Sequence, residues 1–179
     1  MKKLLTCVVL GLAILLISSD VFYASNIGIA LTEINSEPKI SELTVFSAIN
    51  QERIARGVEP LRSFENNSVC LEGFRTNRIK ALENHIIDHG MSAYYNHDNF
   101  SDDVSEFRSC NEMMKPLRKI AENTITIPYN STLNPVELWM QSETHKHNIL
   151  ERDYDYTTVI VSYNDELKEI LIIQIFYQT

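Results

Sequence analysis

The sequence predicts an α+β fold, and three observations carry the expectation. Amphipathic helical segments fill the middle of the chain, two β-branched and aromatic runs close it, and no internal repeat or low-complexity tract interrupts the order. Ser41 can cap a first helix bearing Leu43, Phe46 and Ile49 on one side, with Gly57 placed to end it. Val58-Glu59-Pro60-Leu61 reads as an extended exit. A second and longest helix runs from about Asn67 or Ser68 to Ile87, with Leu71, Phe74, Ile79, Leu82 and Ile86 as its apolar set and Gly90 beyond its end.

Met91 to Asp103 holds Tyr94, Tyr95, His97 and Phe100 without a sustained period, and is expected to be an ordered loop. A third helix is expected over Val104 to Met114, stopping before Pro116, followed by a short extended or turn region at Lys119 to Asn123. Asn134-Pro135 reads as an N-cap with proline at the first helical position, which puts Val136, Trp139 and Met140 on one buried face. His145 and His147 would then emerge where that helix ends. Tyr156 to Tyr163 and Glu169 to Tyr177, separated by Asn164 to Lys168, predict an antiparallel hairpin.

The chain has 179 residues, 44% of them apolar and 22% charged, which suits one domain of ordinary size. Met1-Lys2-Lys3 followed by the apolar run Leu4 to Ile17 reads as a secretory signal or an uncleaved anchor over residues 1–24. Residues 25–40 read as a linker and residues 41–179 as the domain. Formal net charge is -8; residues 1–24 hold Lys2, Lys3 and Asp20, a net of +1, so the remainder carries -9. An acidic exported domain repels phosphate backbones, which argues against a nucleic-acid partner. Cys70 and Cys110 then share an oxidising compartment, either bonded to each other or buried as separate thiols.

The five histidines fall unevenly. His85, Asp88 and His89 spell HIIDH, loosely a helical metal pair with an adjacent acid; the plainer reading is solvated residues in a last helical turn. His145 and His147 follow a helix, so one of them is expected to point inward. Asn148 is a residue able to tie the turn through backbone groups.

In series these pieces resemble the CAP superfamily, the cysteine-rich secretory, antigen 5 and pathogenesis-related proteins, in particular its bacterial SCP-like branch. The resemblance covers about Leu43 to Phe176. Ala48 to Leu61, AINQERIARGVEPL, is similar to the opening helix; Tyr95-Asn96-His97 to the loop histidine; Ala121-Glu122-Asn123 to the glycine-Glu-Asn motif. Trp139, Ser142, His145, Asn148, Ile149 and Leu150 follow the bacterial W-x-x-S-x-x-H-x-x-N-I-L signature, and Ile173 to Phe176 is similar to the closing strand. The resemblance implies an α-β-α sandwich around a central antiparallel sheet, with a cleft where two His and one or two Glu converge. Carried over, the cleft and metal positions are His97, Glu122 and His145. Ser142 stands where plant and animal members have the second Glu, and Ala121 where glycine is usual.

Two neutral imidazoles and a carboxylate would make an open three-ligand zinc site. The bland alternative is a polar cleft in which Glu122 hydrogen-bonds the histidines. The expected protein is a secreted or cell-surface CAP-domain binding protein for an extracellular ligand, whether lipid, glycan or protein. A metal-dependent hydrolase of protease type and a lipid or sterol carrier are its rivals. Membrane contact is expected only through an uncleaved amino-terminal segment.

Overall fold

The computed structural model describes residues 40–64, 69–90, 97–110 and 116–179. The signal or anchor, all of the linker but Ile40, and Tyr95-Asn96 lie outside them. The first helix, α1 (Glu42–Ala55), begins as expected: Ser41 accepts from the Thr44 N–H, and Thr44 returns a bond to the Ser41 N–H. Gly57, at a φ of 68°, ends it. The buried stripe differs from the expected one. Val45, Ile49 and Arg53 face inward, whereas Leu43 is 72% exposed. Arg53 belongs there because it donates to carbonyls that would otherwise be orphaned, Glu59 (2.7 Å), Ile149 (2.7 Å) and Glu151 (2.9 Å).

A two-residue strand β1 (Arg62–Ser63) leads to α2 (Val69–His89), which Gly90 terminates at a φ of 84°. The next helix, α3 (Phe100–Cys110), starts four residues earlier than expected; the expected end at Met114 lies outside the described residues. Asp102 and Asp103 in its first turn favour that start, and the Asn99 carbonyl accepts from the Asp103 N–H. A disulfide joins Cys70 on α2 to Cys110 on α3, and Phe74 stacks on Phe107 between the same helices at 4.8 Å.

Lys119 to Asn123 takes the extended of its two expected forms. It opens the ten-residue strand β2 (Lys119–Pro128), because the β-branched run Thr124 to Ile127 continues the pattern against a long partner. The expected single helix after Asn134 is two, α4 (Pro135–Gln141) and α5 (Glu143–Leu150). Ser142 breaks them by adopting extended backbone: its N–H closes α4 on the Trp139 carbonyl and its own carbonyl receives Lys146 to open α5. The histidines therefore sit on a second helix and not beyond the first.

The hairpin forms as read, from β3 (Tyr156–Asn164) and β4 (Glu169–Gln178), with the Asn164 side chain accepting from the N–H groups of Glu166 and Leu167. Strand order is β1-β3-β4-β2. The three long strands are antiparallel, and β1 adds a short parallel edge to β3.

β4 is buried from Glu169 to Tyr177, and its alternation builds both halves of the core. Ile170, Ile172 and Phe176 pack with Val45 and Ile49 of α1, Trp139 of α4 and Ile149 of α5. Leu171, Ile173, Ile175 and Tyr177 pack on the other face with Leu71, Phe74 and Leu82 of α2 and Phe107 of α3. Each such side chain contributes about 1.5–3 kcal/mol by leaving water. Helices thus cover both faces of one sheet, the expected α-β-α layering, and β2 is left as an outer strand.

Candidate functional site

Glu122 and Asn123 are neighbours on β2, so strand alternation sends them to opposite faces. Glu122 turns toward α2 and is 5% exposed. Arg78, fully buried on α2, grips it with two parallel bonds: Nε to Oε1 at 2.8 Å and Nη2 to Oε2 at 3.1 Å. The remaining amino group, Nη1, donates to Asp103 Oδ2 (2.7 Å) and to the Asp98 carbonyl (2.8 Å). His97 Nδ1 meets Glu122 Oε2 at 2.6 Å, as donor to a carboxylate. His97 sits at a φ of 61° and Asn99 at 58°, a left-handed backbone that costs free energy in a non-glycine residue and here aims the imidazole at Glu122.

Asn123 works on the other face. Its Nδ2 donates to the His145 carbonyl at 3.1 Å, and its Oδ1 accepts from Asn148 Nδ2 at 2.9 Å. α5 is thereby pinned to β2 by two side-chain bonds, which sets the rotation of the helix. That rotation turns His145 to the recess and leaves His147 72% exposed on its side chain. Asn148 was expected to tie backbone groups; it holds a side chain instead. Trp139 adds a third tie, Nε1 to the Thr124 carbonyl at 3.2 Å.

A cavity of about 410 Å³ opens at this edge. Its walls are Leu82, His85, Ile86 and Gly90 of the α2 end, Glu122 to Thr126 of β2 apart from Asn123, and Ser142, Thr144, His145 and Asn148, with His97 between. The Ser142 side chain makes no capping bond to α5. Burial pulls the His145 imidazole below its usual range, and the charge of His97 lowers it further, so His145 is neutral at pH 7.

The three residues carried over from the motif pattern therefore line one recess. His85 joins them, contrary to its reading as a solvated end-of-helix residue: it is 8% exposed, lines the cavity and stacks on His89 at 4.8 Å. Arg78 and Asn123 were missed. Arg78 was visible as a charged residue on the apolar stripe of α2, four after Phe74 and four before Leu82.

The donor set fits a three-ligand zinc ion poorly. Both Glu122 oxygens already accept from a guanidinium or an imidazole, and an added cation would lie against Arg78. Among the described residues no group of three or more His, Cys, Asp or Glu side chains is arranged to hold a metal ion.

No protein-family model matches the chain, and neither does any curated protein. Solved structures do. An outer surface protein of Borrelia burgdorferi is similar, with 16% identity and a TM-score of 0.54 over 79% of this chain and 95% of that one. A cysteine-rich secretory protein of Staphylococcus aureus is similar at the same identity and TM-score over 77% of this chain, which spans 38% of that protein's length. At such identity the likeness concerns the fold, and the fold is CAP-like.

Proposed function

We propose that this chain is an exported binding protein with a CAP-like fold, and that the recess of His97, Glu122 and His145 is where its ligand sits. One observation carries the reading: residues drawn from a loop, an edge strand and a separate helix line one solvent-reached cavity of about 410 Å³, within the range of small-molecule sites. Hydroxyls of Thr124, Thr126, Ser142 and Thr144 and the neutral His145 suit a small polar ligand. Export is supported by the basic and apolar start of the chain and by its structural likeness to an outer surface protein and a secretory protein. The hydrolase reading would need Glu122 as ligand or general base, a role that its bonds to Arg78 and His97 oppose.

The test is ligand titration of the full chain followed by NMR, with panels of monosaccharides, amino acids, short carboxylates and a fatty acid. Shifts confined to Thr124, Thr126, Ser142, Thr144 and His145, and lost in His145→Ala, support the reading. Binding by every panel member elsewhere, or equally in the variant, removes it. Fractionation of producing cells tests export separately: the chain should be found outside the cytoplasm.

A further inference from the structure

The acid of the recess has its own cation behind it, the fully buried Arg78, which bonds Glu122 without itself lining the cavity. A carboxylate as buried as Glu122 needs a compensating charge, and the family resemblance suggests a divalent ion for that position. Here a guanidinium meets it. Arg78 spans both carboxylate oxygens in the two-pronged geometry peculiar to arginine, at 2.8 and 3.1 Å. Its third nitrogen is held by Asp103 and the Asp98 carbonyl, so the group is fixed from α2, α3 and the loop before α3 together and has no room to swing aside. His97 occupies the remaining favourable approach to Oε2. With Glu122 so engaged, His97 and His145 are left one short of the three ligands that an open zinc site uses, and His85, which also lines the cavity, completes no group of three arranged for a metal ion among the described residues.

We infer that Arg78 is the resident cation of this recess: it positions Glu122 for His97, withholds that carboxylate from divalent metals, and lets the recess take its ligand without metal. Arg78 is a positioning residue, since it acts through Glu122. The inference rests on the recess being the ligand site, but its test does not use the ligand, so a failed ligand screen leaves the zinc result standing.

The probe is zinc chloride at neutral pH, titrated into the full chain by calorimetry while the Arg78 Nε–H resonance is followed by NMR. In the wild type that resonance should stay in place at stoichiometric zinc. In Arg78→Gln, Glu122 is released as a third ligand, and zinc should bind more tightly than in the wild type. A gained ligand should count for at least as much as an outer-shell partner, whose loss typically costs about 10–100-fold. Tight one-to-one binding that moves or removes the wild-type resonance would overturn the inference, and so would equal or weaker affinity in a folded Arg78→Gln. Should that variant fail to fold, the wild-type resonance decides: unmoved supports the inference, moved ends it.

Discussion

Arg53 and Arg78 each stand on a helix at a position whose spacing calls for a hydrocarbon, and each is fully buried. Sequence periodicity marks such positions as core but cannot say what a buried charge would meet, because partners lie as far off as Ile149 for Arg53, 96 residues away, and Glu122 for Arg78, 44 away. His97, Glu122 and His145 were legible through motif resemblance; the bonds that hold them were not. Removing one partner of a buried ion pair is costly, so Glu122→Gln should lower stability by about 3 kcal/mol in urea unfolding, the low end for such losses because Asp103 still holds Arg78. Asn123→Ala removes two part-buried side-chain bonds of a fully buried residue and should cost about 1–3 kcal/mol, with exchange of the α5 amides accelerated. A loss below about 0.5 kcal/mol there, with α5 unchanged, would mean that α5 does not depend on that tie.

Elements were read best where they are long and capped by their own residues. Ser41, Gly57, Asn134 and the Asn164 turn all work as their types suggest. β2 was read only over Lys119 to Asn123, as extended or turn, because half of its pattern is polar for reasons outside the strand: Glu122, Thr124 and Thr126 line the recess and Asn123 holds α5. The break at Ser142 was hidden since α4 and α5 are each short and both apolar faces turn to the same core. Beyond α5, Glu151 ties the end of the helix to Lys119 on β2 at 2.6 Å. Its carboxyl is held below the usual value of 4.5, first by that bond and then by the Asp153 N–H. A carboxyl depressed in the folded state stabilises above its unfolded pKa, and the contribution fades as pH falls through the lowered value. Glu151→Gln should therefore be less stable than the wild type at pH 7, and the gap should close in acid below pH 4.5. A gap that persists unchanged would assign the effect to packing.

For the molecule as a whole, helix–strand order announced α+β, and the motif series announced the layering that β4 then explains by alternation. The Cys70–Cys110 bond closes a loop of 40 residues between α2 and α3, so its reduction should cost about 4 kcal/mol by loop-closure entropy, read as a shift of the urea midpoint. What no single segment could reveal is that α2, β2 and α5, each serving a different layer, bring their polar residues out at one edge of the sheet. That convergence has a direct measurement, the NMR titration of the His145 imidazole in the wild type and in His97→Ala. The wild-type midpoint should lie below 6.5 and should rise in the variant, because a neighbouring positive charge is gone while burial remains. A midpoint at or above 6.5, or one identical in the two proteins, would put the imidazoles in separate surroundings and contradict the shared recess.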